Sequence, residues 1–321
     1  MNRLLSTAAA LLAFALPQML LAQTYPNKPI RVVIPYPAGG SADVVARTVG
    51  AKLTEAWGQQ ILVDNKPGAG GNIATEFVAK SAPDGYTLLL ATDIQMGINP
   101  HIYKALPYNP DRDFAFVVQA AFIEFVLSVH PSIPANNLTE LIAHLKAHPG
   151  KYSYASSGYG STHHLSMELL KSMAGIDMVH VPYKGSGQML PDLISGQVQL
   201  SYTGIPQTMP HVKSGKLKAI ALGSAKRLDA APGVPVIAET LPGFEANASW
   251  NYFAPAGTPR EIVMRLNAEI NRILNLDDIR GRLISQGLIP IGGTPEGLAE
   301  RMKSDYVKWG KVVKDIGLKV E

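Results

Sequence analysis

The sequence predicts an α/β protein of two lobes, each a mainly parallel β-sheet flanked by helices. The chain has 321 residues, of which 46% are hydrophobic, and this is more than a single hydrophobic core usually serves. Each half repeats the same order of a short apolar strand, a glycine-rich loop and an amphipathic helix. Strands and helices that alternate in this way form parallel sheets.

The N-terminus has the pattern of a secretory signal peptide at residues 1–22. Arg3 supplies a positive charge, residues 4–16 are small or apolar, and small residues precede Gln23. The run is shorter than the roughly 18 residues of a membrane anchor, so we expect cleavage after Ala22. The chain contains no cysteine, which excludes disulfides and a lipidated cysteine. An exported protein without an anchor needs an outer barrier, which indicates the periplasm.

The first lobe is placed at residues 23–124 and is predicted to have the order βαβαβ. Its strands are expected at 30–34, 61–63 and 86–91, with helices after the first two. Gly58 ends the first helix, and the second spans 73–79. This order requires a parallel sheet.

The second lobe is placed at residues 125–246 and repeats the pattern. Asn137 is expected to cap a helix that runs from Leu138 and stops before Gly150. Strands are expected at 152–155, 178–181, 198–202 and 217–222, with helices at 164–174 and up to Ser214.

Residues 247–321 are predicted to return to the first lobe, mainly as helices. Thr258-Pro259 and Thr294-Pro295 each combine a hydroxyl N-cap with proline at the first helical position. A single short strand at 288–290 cannot make a lobe alone. The chain then crosses between the lobes near 122–125 and near 245–250, and two crossings permit hinged closure.

Two glycine-rich loops are the candidate binding elements. Pro37-Ala38-Gly39-Gly40-Ser41 and Ser157-Gly158-Tyr159-Gly160-Ser161-Thr162 each follow a strand and begin a helix. The start of a helix presents free backbone N–H groups and the positive end of the helix dipole, which suits an anion. One loop in each lobe predicts a clamp, although any one of these serines could equally be only a helix cap.

Eight short motifs follow one another along the chain. The motifs are Tyr25-Pro26-Asn27-Lys28-Pro29-Ile30, Pro37-Ala38-Gly39-Gly40-Ser41-Ala42-Asp43, Lys66-Pro67-Gly68-Ala69-Gly70-Gly71-Asn72, Pro83-Asp84-Gly85-Tyr86, Ile98-Asn99-Pro100, Gly160-Ser161 with His164-Leu165 and Glu168, His180-Val181-Pro182-Tyr183-Lys184-Gly185, and Pro255-Ala256-Gly257-Thr258-Pro259. Together they resemble the Bordetella uptake gene (Bug) family, the solute receptors of tripartite tricarboxylate transporters. The chain departs from the family at Ala74, at Gln199 and at Asp93-Ile94-Gln95-Met96.

The resemblance implies a type II periplasmic binding protein, a Venus flytrap that grips a small organic carboxylate and delivers it to membrane permease subunits. A sensor kinase is the alternative partner. It further implies a monomer with no enzymatic activity, no cofactor and no metal. The ligand-binding residues it suggests are Tyr36, Ala38, Gly39, Gly40, Ser41, Asp93, Ile94, Gln95, Ser157, Gly158, Ser161, Thr162, His163, Tyr183, Lys184 and Thr203.

Asp93 is the residue from which we expect ligand specificity. It follows a predicted strand at the end where ligands bind in open α/β sheets. Its carboxylate would repel a second ligand carboxylate, or it would cap the turn toward Gln95 or Met96; the sequence favours neither. Lys184 is expected to support its own loop rather than pair with the ligand.

Four other classes of function fit less well. The chain has 29 basic and 25 acidic residues, which is too balanced for nucleic-acid binding. The glycines do not spell the dinucleotide motif G-x-G-x-x-G. An exported metal-dependent enzyme would need a third ligand, such as His180 or His101, beside His164 and Glu168. A hydrolase built on Ser161 and His164 would lack the G-x-S-x-G turn.

Overall fold

The computed structural model describes residues 25–183, 188–228 and 231–319. The predicted signal peptide and Lys184 therefore lie outside the described residues. The described strands are β1 (Ile30–Ile34), β2 (Ile61–Asn65), β3 (Thr87–Ala91), β4 (Phe114–Ile123), β5 (Phe125–Val129), β6 (Ser153–Ser156), β7 (Val179–Pro182), β8 (Leu200–Gly204), β9 (Lys218–Leu222), β10 (Ala248–Pro255) and β11 (Leu288–Pro290). The described α-helices are α1 (Ser41–Trp57), α2 (Asn72–Ala79), α3 (Asn99–Ile102), α4 (Leu138–Lys146), α5 (Thr162–Ala174), α6 (Met189–Ser195), α7 (Ile205–Lys213), α8 (Arg260–Leu274), α9 (Asp277–Ser285) and α10 (Pro295–Asp315).

Two separate sheets confirm the two-lobed α/β architecture. The first has the order β11-β4-β10-β3-β1-β2 and the second the order β7-β6-β8-β5-β9. In the first sheet β1 is parallel to β2 and β3, whereas β10 is antiparallel to β3 and β4, and β11 to β4. In the second, β6 is parallel to β7 and β8, and β5 is antiparallel to β8 and β9.

The sheets are therefore mixed, which corrects the expectation of mainly parallel sheets. Every antiparallel pairing involves β4, β5 or β10, none of which the sequence predicts as a strand. Of these regions the sequence predicts only the crossings near residues 122–125 and 245–250. Every residue of β5 and of β10 is buried, so neither strand shows the alternation that identifies a half-exposed strand.

The chain passes from one sheet to the other at two places. Glu124 alone separates β4 of the first sheet from β5 of the second. The return follows β9, and Ala246 N donates a hydrogen bond to Gly223 O (3.0 Å) just before β10 begins. These are the two interlobe crossings that the sequence predicted.

Helix α10 connects the two lobes a third time. Leu298 and Met302 pack in a cluster of the first lobe, whereas Trp309, Val312 and Val313 belong to the core of the second. A helix of 21 residues is about 32 Å long and can reach both. The expectation that all of residues 247–321 lie on the first lobe therefore needs correction for the second half of α10.

The sequence does not predict the short helices α3 and α6. The other differences from the predicted elements are shifts of one to three residues at element ends. Helix α5 begins at Thr162 rather than near residue 164, because Ser161 caps it. Strand β8 runs from Leu200 to Gly204 rather than from 198 to 202. None of the helices within the described ranges is long and apolar enough to cross a membrane.

Candidate functional site

A cavity of about 850 Å³ lies between the two lobes. This volume is within the range of small-molecule sites. The residues that line it are Tyr36, Pro37, Ala38, Gly39, Gly40, Ser41, Ala42, Thr92, Ile94, Ile123, Phe125, Ser157, Ser161, Thr162, His163, Ala248 and Trp250. Both glycine-rich loops contribute to this one cavity.

The first loop presents the start of helix α1 without a side-chain cap. Gly40 is the N-cap in an extended conformation, and no side chain accepts a hydrogen bond from the first helical amides. The first bond of the helix runs from Val44 N to Gly40 O (3.1 Å), so the N–H groups of the first turn have no partner within the helix. Gly39 has φ +86°, which a glycine adopts without strain.

The charge nearest to this helix start is Asp43, which is already paired. Arg47 Nε donates to Asp43 Oδ2 (2.8 Å), and Gly39 N donates to the same oxygen (3.2 Å). The hydrogen bond from Arg47 holds the pKa of the Asp43 carboxyl below its usual value. Asp43 is therefore ionised and its charge is balanced by Arg47.

The second loop differs because a serine side chain caps its helix. Ser161 Oγ accepts a hydrogen bond from His164 N (3.3 Å) and donates one to Gly158 O (2.7 Å). Gly160 N donates to His164 Nδ1 (3.2 Å). At this helix start some of the donors that could bind an anion are therefore already hydrogen-bonded within the protein. Ser161 nevertheless lines the cavity.

His163 contributes a neutral imidazole to the cavity wall. Its Nδ1 shares a hydrogen bond with Ser157 Oγ (2.8 Å), and its ring stands edge-on to Phe125 with centroids 5.1 Å apart. Burial lowers the pKa of His163 to about 4, so the ring is uncharged near pH 7. No Asp, Glu, Lys or Arg is present among the described residues that line the cavity.

Ten of the sixteen residues predicted as ligand-binding line this cavity: Tyr36, Ala38, Gly39, Gly40, Ser41, Ile94, Ser157, Ser161, Thr162 and His163. Gly158 is not a lining residue, but its carbonyl oxygen fixes Ser161. The Tyr183 hydroxyl donates to Asp192 Oδ2 (2.6 Å), and the Thr203 hydroxyl pairs with that of Thr208 (2.6 Å). These side chains are engaged within the second lobe.

Gln95 acts behind the cavity wall rather than in it. Its Nε2 donates to Gly70 O (2.9 Å) and to Tyr36 Oη (3.2 Å), and its Oε1 accepts from Thr92 N (3.1 Å). The hydroxyls of Tyr36 and Thr92 are also within hydrogen-bond distance (3.1 Å). Gln95 thereby fixes the position of two side chains that line the cavity.

Asp93 has neither of the roles that the sequence suggested. It is 1% exposed, does not line the cavity and makes no cap hydrogen bond to the following turn. Its Oδ1 accepts a hydrogen bond from Ser249 N (3.1 Å), so it connects the end of β3 to β10. Burial, followed by the nearby charge of Asp305, raises the pKa of Asp93 to about 6. The side chain is therefore a buried link between two strands of the first lobe.

Trp250 is the main lining residue that the sequence does not predict. The sequence predicts a crossing near residues 245–250, whereas Trp250 lies in strand β10. Ala248 and Trp250 both line the cavity and are two residues apart, as expected for neighbours on one face of a strand. Because every residue of β10 is buried, no alternation in the sequence marks this face.

Two histidines near the second loop stack on each other. The ring of His164 stacks on that of His180 with centroids 4.1 Å apart. Glu168 accepts hydrogen bonds from the Tyr154 hydroxyl and from Lys171 Nζ. Among residues 25–183, 188–228 and 231–319, no group of three or more His, Cys, Asp or Glu side chains is placed to hold a metal ion.

A buried carboxyl at the first crossing gives the protein a pH-dependent stability. Glu124 is 1% exposed. Its Oε1 accepts hydrogen bonds from Gly223 N (2.9 Å) and Ser224 N (3.0 Å), and its Oε2 has no partner among the described residues. Burial raises the pKa of Glu124 to about 8 from a reference value of 4.5, so the carboxyl is protonated at neutral pH.

Glu124→Gln should remove this pH dependence. Between pH 4.5 and about 8 the unfolded chain has lost the Glu124 proton and the folded chain retains it, so the free energy of unfolding falls as pH rises. Each unit of pKa difference corresponds to about 1.4 kcal/mol. Glutamine keeps the acceptor oxygen and cannot ionise. In urea titrations the variant should gain stability relative to the parent between pH 5 and pH 8.5; a constant difference would contradict this.

The protein has two α/β lobes, two crossings between them and a cavity at their interface. This architecture is typical of solute-binding proteins. Residues 45–318 match the TctC family, the tripartite tricarboxylate transporter family receptors, and the chain belongs to this family. The resemblance inferred from the motifs is thereby confirmed.

Known relatives are similar to this chain along almost its whole length. Protein BugT of Bordetella pertussis is 35% identical over 324 residues, covering 100% of this chain and 99% of that protein. The structure of R. palustris Rpa4515 with adipate has a TM-score of 0.77 and 36% identity, covering 92% of this chain and 99% of that one. The periplasmic binding protein BugD has a TM-score of 0.73 and 31% identity, covering 92% and 100%.

Proposed function

We propose that this receptor captures a small organic carboxylate in the interlobe cavity and delivers it to the membrane permease of a tripartite tricarboxylate transporter. The observation that carries this proposal is the uncapped start of helix α1 at a cavity without charged side chains. The free amides and the helix dipole favour an anion there. The adipate of the R. palustris relative is a ligand of the same chemical class.

We place the protein in the periplasm and assign it no catalytic activity. The relatives are solute-binding proteins, among them a periplasmic one. The apolar N-terminal run supports export followed by cleavage after Ala22. The intact mass of the exported protein tests the cleavage, because a protein that retains Met1 would contradict it.

Thermal unfolding with a panel of carboxylates tests the proposed function. The exported protein should be stabilised by at least one carboxylate, whereas the corresponding primary amide should have no effect. A ligand that binds only the native state adds about 2.7 kcal/mol at one hundred times its dissociation constant, which raises the melting temperature measurably. If no aliphatic or aromatic carboxylate stabilises the protein more than its amide does, the proposed function is wrong.

A further inference from the structure

We infer that His164 and His180 are positioning residues for ligand binding, and that as neutral rings they hold the second glycine-rich loop in the shape that lines the cavity. Neither histidine lines the cavity itself. The inference rests on the proposed function, because the loop that they hold forms one wall of the same cavity.

The second loop needs this support because two of its glycines have positive φ angles. Gly158 has φ +119° and Gly160 has φ +74°. Glycine loses more conformational freedom on folding than any other residue. The loop and the helix start that follows it supply four lining residues of the cavity, Ser157, Ser161, Thr162 and His163. A change in the shape of the loop would therefore change the wall.

His180 holds the first part of the loop through Ser156. Its Nε2 shares a hydrogen bond with Ser156 Oγ (2.6 Å). Ser156 Oγ in turn donates to Gly158 O (3.2 Å) and accepts from Gly158 N (3.1 Å). Both backbone polar groups of Gly158 are thus connected to the ring of His180 through one buried hydroxyl.

His164 holds the second part of the loop directly. Gly160 N donates to His164 Nδ1 (3.2 Å), which requires that Nδ1 carry no proton. A charged imidazole would present an N–H group to the amide of Gly160, and this hydrogen bond would be lost. The loop is therefore held only while the ring of His164 is neutral.

The two rings are stacked, which joins the two points of attachment. The centroids of His164 and His180 are 4.1 Å apart and their planes differ by 17°. On its other side the ring of His180 stacks on Tyr154 at 4.9 Å. Tyr159, which is 69% exposed, stands edge-on to both histidines at 5.5 and 4.9 Å. The loop is consequently attached to one continuous stack of rings.

The charged groups that face the pair lie on helix α5. Glu168 accepts hydrogen bonds from the Tyr154 hydroxyl and from Lys171 Nζ, so its charge is balanced. Burial, followed by the proximity of His180, lowers the pKa of His164 to about 4, and burial also lowers the pKa of His180. Helix α5 also packs against β8 and α10, which contribute Tyr202, Trp309, Val312 and Val313 to this core.

NMR of the exported protein tests the inference without a ligand. At pH 7 the nitrogen chemical shifts of His164 should show an unprotonated Nδ1, and the Gly160 amide should be protected from hydrogen exchange. When the loop opens, His164 regains its ordinary pKa of about 6.5, so acidification favours opening. With a pKa of about 4 in the closed loop, His164 alone should lower the protection of Gly160 about twentyfold between pH 7 and pH 5.

Two substitutions separate the acceptor atom of His164 from its ring. His164→Asn puts an oxygen near the position of Nδ1 and cannot take up a proton, whereas His164→Leu supplies no acceptor. Both lose the ring stack. At pH 7 the Gly160 amide should exchange about two- to tenfold faster in His164→Leu than in His164→Asn. The twentyfold loss of protection on acidification should be absent from both.

His211→Asn is the matched control for these variants. His211 lies on helix α7 of the same lobe and does not line the cavity. Its replacement removes a histidine from the second lobe without touching the stack. The exchange of the Gly160 amide and its pH dependence should be the same as in the parent.

Titration calorimetry at pH 7 with succinate, adipate and benzoate tests the consequence for binding. Each probe that binds should bind about three- to tenfold more weakly to His164→Leu than to His164→Asn, because it must order a loop that Gly160 no longer anchors. His180→Gln keeps a polar atom near the position of Nε2. It should bind the same probe more tightly than His180→Leu.

The outcomes distinguish this inference from the proposed function. If His164 Nδ1 carries a proton at pH 7, or if Gly160 exchanges equally in His164→Asn and His164→Leu, the inference is overturned whether or not a carboxylate binds. Equal affinities of these two variants for a bound probe would overturn the role in binding. If no carboxylate binds the parent, the proposed function fails, while the exchange of Gly160 still decides whether the histidines hold the loop.

Discussion

Replacing Ser41 with proline is expected to weaken carboxylate binding by about 10- to 100-fold while the free energy of unfolding changes little. Ser41 is the first residue of helix α1, and proline is well tolerated at this position. Gly40 has φ −80° and ψ 177°, an extended conformation that suits the residue before proline. The substitution removes one amide donor, and a hydrogen bond to a charged group contributes about 1.5–3 kcal/mol.

Ser41→Ala is the control for this experiment. It removes the hydroxyl but keeps the backbone N–H, so the difference between the two variants reports the amide alone. Titration calorimetry with one bound carboxylate gives both affinities, and urea unfolding verifies the fold. Equal affinities for Ser41→Pro and Ser41→Ala would show that the first amide of α1 does not contact the ligand.

Replacing Gly223 with alanine is expected to destabilise the protein by about 3 kcal/mol or more. A Cβ atom at Gly223 would overlap the Tyr202 hydroxyl and the Ala246 carbonyl oxygen. These two groups are hydrogen-bonded to each other, and Gly223 N donates to Glu124 Oε1 (2.9 Å). The added methyl group would therefore separate the two crossings between the lobes.

Gly281→Ala is the matched control for Gly223→Ala. Gly281 lies within helix α9, and a Cβ atom there would meet no atom within 4 Å. Alanine should stabilise this helix by up to about 1 kcal/mol. Urea unfolding of the two variants should show opposite changes in the free energy of unfolding. A loss below about 1 kcal/mol for Gly223→Ala would contradict tight packing at the crossing.

The local features of the sequence predicted most of the elements that position the site. Gly58 and Gly175 end helices α1 and α5 in the left-handed conformation, as glycines at these places should. Asn137 caps α4 through its side chain. The two glycine-rich loops lie on the same cavity, which follows from their place at the start of a helix in each lobe.

Contacts between strands that are far apart in the sequence could not be predicted from local features. Strands β5 and β10 are entirely buried, so their apolar runs carry no period that separates a strand from a connection. Trp250 lines the cavity from β10, so its role follows from a strand that the sequence does not predict. The role of Asp93 depends on the amide of Ser249, 156 residues further along the chain, and no local pattern reports such a contact.

A crystal structure of the exported protein with a bound carboxylate tests the central claim most directly. Our account predicts that the ligand carboxylate accepts hydrogen bonds from the first amides of helix α1, in the cavity that both glycine-rich loops line. A ligand bound outside this cavity, or in it with no contact to residues 39–42, would contradict the account.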